Sequence, residues 1–262
     1  MTEPNFDARR FRTTVPFYAR YRLPYPDALI ARVAAFVGMR PGDAVMDLGC
    51  GPGLLAVPFA RAGFAVTAID PEPEMVAACE GAARAADVRV DVRQGSSFDL
   101  PAGPFQLVTM GRSFHWMDRA ATLAALDGIV TADGALAFFA DSHPITVENQ
   151  WRNVLAETGE RYGRAEAPHV RQRRDPKHRS QQSLLLDSAF GRLSGFSEFI
   201  RRQIGADDIV GLAFSQSVTA PDRLGDRAAA FEAELRGALA QIAPDGRFTE
   251  IAELTALVAR RG

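Results

Sequence analysis

The sequence predicts an α/β protein built around a parallel sheet, and two observations carry that reading. The first is Val45-Met46-Asp47-Leu48-Gly49-Cys50-Gly51-Pro52-Gly53-Leu54-Leu55. A short apolar run holds an acid near its end, passes through glycines at every second position, and leads into an apolar segment of helical period, so it reads as strand, tight turn, helix. The second is repetition of that order. Val66 to Asp70 and Phe105 to Met110 are further apolar runs followed by helical patterns, and Val88 to Val92 alternates as a strand does. Strands that alternate with helices form βαβ units.

The 262 residues suit one large domain carrying a small addition, with 47% hydrophobic and 24% charged residues. A net charge of −2 supplies no electrostatic footprint for nucleic acid or for an anionic membrane. Cys50 and Cys79 are too few for a disulfide framework and read as free thiols of a reducing, cytoplasmic setting. The first 22 residues are polar and rich in arginine, without the apolar core of a signal peptide.

Taken in order, residues 10 to 26 crowd three tyrosines and four arginines between prolines and read as an arm packed by its aromatics. Pro26 to Val37 has helical period, ended by Gly38. Leu54 to Ala62 is the helix after the glycines, with Pro58 expected to keep it short or bent. Asp70 to Ala85 opens with prolines that a first turn tolerates. Asp118 caps a helix running to Gly128. Ala135 to Ala140 reads as a fifth strand, Ile145 to Tyr162 as a helix, and Phe196 to Ile204 as a strand. Ala206 to Phe214 and Asp222 to Ile242 read as helices, and Leu254 to Ala259 as a last strand.

The glycine turn indicates the ligand. Its backbone takes positive φ at no steric cost, and the helix behind it favours an anionic group. A dinucleotide fingerprint needs a small residue where Leu54 stands. Asp47 repels a pyrophosphate and holds an ammonium; Asp70, at the end of the next strand, is placed to accept ribose hydroxyls. A ligand with an amino acid end and a ribose end fits both, and S-adenosylmethionine is such a ligand.

Here the sequence resembles the class I S-adenosylmethionine-dependent methyltransferases of small molecules, such as those of ubiquinone biosynthesis and trans-aconitate methylation. The resemblance rests on Asp47 to Gly53, Asp70 to Met75, Gln94 to Pro101 and Ser113-Phe114-His115-Trp116. It implies a Rossmann-like, seven-stranded, mostly parallel sheet with helices on both faces, the last strand antiparallel, and a small helical cap. The implied organisation is an arm or lid at 1–24, a cofactor-binding core at 25–141, a helical cap at 142–195, and completion of the sheet at 196–262. It implies S-adenosylmethionine as cofactor and S-adenosylhomocysteine as product.

It places Tyr18, Tyr21 and Arg22 near the amino acid end of the cofactor or the acceptor, with Arg22 paired to the cofactor carboxylate. Gly49, Gly51 and Gly53 form the loop, and Pro71 and Met75 lie against the adenine. Ser96, Ser97, Phe98 and Met110 complete the expected cofactor set. Relatives carry an acid where Ser96 stands, and Phe98 also replaces an acid; a hydroxyl accepts more weakly than a carboxylate. His115 is the candidate general base, since imidazole titrates near neutrality and a base adds roughly 10²–10⁴-fold for alcohol, amine or carbon acceptors. Arg171, Arg173, Arg174, Lys177, His178 and Arg179 form a basic stretch, read as a solvated surface or as a site for an anionic acceptor. The expected partner is a small molecule, anionic acceptors included, with no nucleic acid and no membrane, and the chain acting as monomer or homodimer. The competing readings are a protein of this fold that binds the cofactor without methylating, and a nicotinamide-dependent oxidoreductase, which Leu54 and Asp47 disfavour.

Overall fold

The structure, a computed structural model, describes residues 12–163 and 179–262. Its chain order is α1 (Val15–Tyr21), α2 (Asp27–Val37), β1 (Ala44–Leu48), α3 (Ala56–Arg61), β2 (Ala65–Asp70), α4 (Pro73–Ala85), β3 (Val90–Gln94) and β4 (Phe105–Gly111). There follow a 3₁₀ turn (Phe114–Trp116), α5 (Arg119–Asp127), β5 (Val130–Ser142), α6 (Trp151–Arg161), α7 (Gln181–Leu186) and β6 (Arg192–Gly205). The chain ends with α8 (Ala206–Phe214), the single turn α9 (Pro221–Leu224), α10 (Ala228–Ile242) and β7 (Arg247–Arg260).

The seven strands lie in the order β3-β2-β1-β4-β5-β7-β6. All are parallel except β7, which runs antiparallel to both β5 and β6. The strand order reverses between β1 and β4, and in open α/β sheets ligands bind beyond the strand ends at such a point. β1 is buried on both faces because helices cover both sides, so it reads as an unbroken apolar run around Asp47. Val45 joins one apolar cluster with α2 and α3; Met46 and Leu48 join a second cluster on the opposite face with α5 and α7.

Local signals work as the residues dictate. Gly38 ends α2 in the left-handed region at φ 77°. The Asp118 carboxylate accepts from the Ala121 N–H at 3.1 Å and caps α5. α3 is short, six residues, as Pro58 foreshadowed. Strand ends are longer than the sequence pattern suggested. β5, β6 and β7 run for 13, 14 and 14 residues, since β7 is covered on both edges and pairing carries all three beyond the apolar stretches.

The helical addition differs from the expected cap at 142–195. β6 begins at Arg192, inside that range, and among the described residues α6 packs on helices from elsewhere in the chain. Trp151 and Leu155 of α6 pack with Ile209, Val210 and Phe214 of α8 and with Phe231, Leu235 and Leu239 of α10. The arm joins them through α1, where Phe17 meets Phe214 edge-on at 5.3 Å. Three separate stretches of chain thus share one apolar cluster. The cause is simple: each helix has a single apolar face, and only together do they remove those faces from water. Among the described residues no helix is long and apolar enough to cross a membrane.

Candidate functional site

A concavity of about 270 Å³, its open mouth included, lies at the C-terminal ends of β1 and β4. Its lining is Asp47, Gly49, Cys50, Gly51, Leu54 and Leu55 from the first strand–turn–helix, Gly111 and Arg112 from the end of β4, and Tyr18 and Tyr25 from the arm.

The three loop glycines all have positive φ, 70°, 53° and 88° at Gly49, Gly51 and Gly53. Two are also sterically required. A Cβ on Gly49 would lie 2.5 Å from the Ser113 Cβ, and one on Gly53 would lie 3.0 Å from the Cys79 Sγ. Gly51 meets only the Met75 Sδ, at 3.9 Å, so its missing side chain leaves space for a ligand. Gly49→Ala is expected to destabilise the fold by about 2–4 kcal/mol, from overpacking and backbone strain together. Thermal denaturation of the variant checks this, and Gly38→Ala, strained but open, should cost less.

Asp47 is 1% exposed. Its Oδ2 accepts from the Ala56 N–H at 3.1 Å and its Oδ1 from the Thr109 hydroxyl at 2.9 Å. Thr109 stands opposite Asp47 in the β1–β4 register, which is why a threonine from another strand reaches it. Burial pushes the Asp47 carboxyl up to about 7, partly opposed by those two hydrogen bonds, with nearby Asp70 adding to the rise. Asp70 accepts from the Gly51 N–H at 2.8 Å and the Glu72 N–H at 3.0 Å, and burial raises its carboxyl too. A carboxylate offers about four lone-pair sites; in each acid these bonds occupy two, so both retain capacity for a ligand.

Two guanidinium groups with unequal partners lie on the far side, Arg112 in the lining and Arg22 behind Tyr18. Arg112, held at a positive φ of 57°, donates from Nε to Asp141 and from Nη2 to the Leu23 carbonyl at 3.2 Å, and lies 4.7 Å over the Tyr25 ring. Arg112 in turn holds the Asp141 carboxyl below its ordinary range against the effect of burial. Arg22 backs the Tyr18 ring at 5.0 Å and donates only to the Ser215 carbonyl, at 3.3 Å, among the bonds described. Burial, with Arg112 nearby, lowers its pKa. The Arg22 Nε and the Tyr25 hydroxyl are buried without hydrogen-bond partners among the described residues. Two buried cations against one carboxylate, beside two unpaired donors, is a site that favours an anionic group.

The structure therefore brings together Tyr18, Asp47, Gly49 and Gly51 of the expected residues, with Asp70, Met75 and Arg22 directly behind them. Gly53 closes the turn against Cys79. Three expected residues lie outside the lining of the concavity. Tyr21 turns onto α8, its ring where a Cβ on Gly211 would be, 2.3 Å away, because α1 is a helix and its faces diverge. Met110 is buried in the second apolar cluster; strand alternation sends it to the other face, and Gly111 is the β4 residue that lines the concavity. His115 stands on the 3₁₀ turn, exposed, its ring 4.6 Å from that of Trp116, and is not part of the lining.

Pro71, Ser96, Ser97 and Phe98 form a separate edge next to Asp70. The Gln94 amide donates to the Pro71 carbonyl at 3.2 Å, and the Gly95 N–H to the Asp70 carbonyl at 3.1 Å. Of the basic stretch, residues 171–178 lie outside the described residues. Arg179 pairs with Asp187 and bonds Ser183, so it is engaged locally.

Sequence reasoning missed Tyr25, Arg112 and Asp141 as a group. A further chain leads away from Asp141: its carboxylate is 3.9 Å from His143, which shares a hydrogen bond of 2.9 Å with Glu250, which accepts from Arg202 at 2.6 Å. Only one signal was available, that Arg112 and Asp141 each follow an apolar run, where strand ends place residues at the mouth.

Comparison with known proteins agrees with this geometry. Residues 45–134 match the model of a family described as a methyltransferase domain. Over 114 residues the chain is 40% identical to a ubiquinone biosynthesis O-methyltransferase of Xanthomonas campestris pv. campestris, covering 42% of this chain and 46% of that one. A namesake from Azorhizobium caulinodans is 42% identical over 64 residues, 24% of this chain and 25% of its own. The matched part thus spans less than half the length of these curated relatives. Among solved structures, a putative type II methyltransferase from Anaeromyxobacter dehalogenans superposes with a TM-score of 0.59 at 18% identity, over 92% of this chain and 98% of that one. A methyltransferase from Thiobacillus denitrificans, in complex with S-adenosyl-L-homocysteine, does so at 0.54 and 15%, over 97% and 99%. This chain shares its fold with these two methyltransferase structures.

Proposed function

We propose that this chain, whose residues 45–134 carry a methyltransferase domain, is a class I S-adenosylmethionine-dependent methyltransferase acting on an oxygen of a small-molecule acceptor. One observation carries the cofactor reading. Two buried acids end adjacent strands on either side of a positive-φ glycine loop, while an unpaired phenol lines the same concavity and an under-compensated cation backs its Tyr18 wall. That pattern complements an ammonium, a ribose diol and a carboxylate at one molecule's length. The preference for oxygen rests on the relatives named O-methyltransferase.

When bound, S-adenosylmethionine supplies an electrophilic methyl group on a sulfonium. The chain's own residues do the rest. Asp47 accepts from the ammonium and Asp70 from the ribose hydroxyls, each through the lone pairs left free. Arg22 and the Tyr25 hydroxyl donate to the carboxylate, and Arg112 is kept from competing by Asp141. Gly51 lets the backbone approach closely. Tyr18 and Tyr25 cover the concavity and exclude water, which favours a step that consumes charge. His115, a few residues beyond Gly111 on the same loop, is assigned the acceptor's proton.

Calorimetry with S-adenosylhomocysteine tests the cofactor, and release of that product in the presence of acceptor tests transfer. Binding without any product would favour a protein that holds the cofactor without methylating. His115→Gln is expected to lower turnover roughly 10²–10⁴-fold with cofactor affinity unchanged. An unaltered rate on the true acceptor would remove His115 from the chemistry.

A further inference from the structure

β6 is the last strand of the sheet and runs for 14 residues, with β7 along one edge and no strand along the other among the described residues. A long free edge presents a row of backbone donors and acceptors, and such rows take up further strands. α2 lies over one face of β6: Phe36 meets Phe196 edge-on at 5.0 Å, and Arg32 donates to the Ser197 carbonyl at 3.1 Å and to the Glu198 carboxylate at 2.7 Å. Phe199, of opposite parity to Phe196, points to the other face of the sheet and is 63% exposed.

The middle of the strand, Glu198-Phe199-Ile200-Arg201-Arg202, complements its own reverse. A two-fold axis normal to the sheet adds an antiparallel copy and keeps every side chain on its own face, so the axis must pass through a residue and not between two. With the axis at Ile200, Glu198 stands opposite the partner's Arg202, and Phe199 opposite the partner's Arg201, twice each. An axis at Phe199 would set Glu198 against the partner's Ile200. An axis at Arg201 would set two guanidinium groups against each other. Of these three registers, only the one at Ile200 puts each charge opposite an opposite charge or an aromatic ring. The ion pairs within the chain also continue across that axis. Glu198 already holds Arg32, and Arg202 holds the buried Glu250 at 2.6 Å. Arg32, Glu198, the partner's Arg202 and the partner's Glu250 then alternate in sign.

We propose that the outer edge of β6 is the surface through which two copies of this chain associate, antiparallel about a two-fold axis at Ile200, into one continuous sheet. Each edge takes up the other, so the contact is closed and yields dimers and no larger species.

Sedimentation velocity on the full chain, over a range of concentrations, tests this. The unaltered protein is expected to sediment at twice the mass of one chain and to dissociate on dilution. Phe199→Lys sets like charges opposite each other at two places and should weaken association roughly tenfold or more. Phe199→Gln loses the same ring without adding a charge and should weaken it less. Position 199 is exposed, so both variants should keep the circular dichroism of the parent. A parent that stays monomeric at every concentration overturns the inference. A dimer indifferent to Phe199→Lys overturns it too, since its interface would lie elsewhere. Equal loss in the two variants would reject the register at Ile200, and species larger than dimers would reject the closed two-fold contact.

Discussion

Asp47→Asn is expected to weaken S-adenosylhomocysteine binding roughly 10–100-fold while making the ligand-free protein more stable at neutral pH. Burial raises the Asp47 carboxyl to about 7 from an ordinary 3.8. Between those values the folded protein holds the proton and the unfolded chain has released it. Stability of the ligand-free protein therefore falls as pH rises through about 4 to 7, by up to roughly 4 kcal/mol for this group. Asn carries no charge to desolvate, and its oxygen still accepts from Ala56 or Thr109. Denaturant midpoints at pH 5 and 8 should differ less in the variant than in the parent. Paired acids whose pKa is lowered, Asp141 and Glu250, contribute the opposite slope only at lower pH.

The same group sets the pH dependence of binding. An ammonium needs the carboxylate form, so affinity in the parent should drop by about tenfold per pH unit below 7. The slope should vanish in Asp47→Asn. A flat profile in the parent from pH 5.5 to 7.5 would show that Asp47 does not receive the ligand's charge.

Arg22→Met and Arg112→Met should separate two buried arginines that look alike in sequence. Arg22 has no carboxylate among its described bonds. Replacing it with an apolar chain of similar reach removes a desolvated charge, so the ligand-free melting temperature should hold or rise. Cofactor affinity should fall roughly 10–100-fold, because the ligand's carboxylate loses its cation. Arg112 is the partner of Asp141. Its loss orphans a buried carboxylate and should cost about 3–5 kcal/mol. Equal destabilisation by both changes, with affinity intact in Arg22→Met, would make Arg22 a structural residue.

These contrasts show where the sequence was informative. The Asp47–Gly53 stretch could be read because its signal is local. Positive φ, close backbone approach and an acid at a strand end are properties of neighbouring residues. Asp70 followed from the same logic one unit later. Which of Met110 and Gly111 lines the concavity could not be read, because an apolar run buried on both faces does not reveal which residue faces which side. The direction of Tyr21 was illegible for a related reason: α1 is seven residues long, too short for a periodic pattern to mark its faces.

By itself the sequence determined the α/β class, the glycine loop and the two acids at adjacent strand ends, since all depend on contacts within one βαβ unit. Only the tertiary structure decided which cation is compensated by a carboxylate and how helices from three stretches of chain share one apolar cluster. Those outcomes depend on residues distant along the chain, such as Arg112 with Asp141 and Arg22 with Ser215. Burial raises the energetic stakes of each pairing, and no pattern within a single segment encodes it.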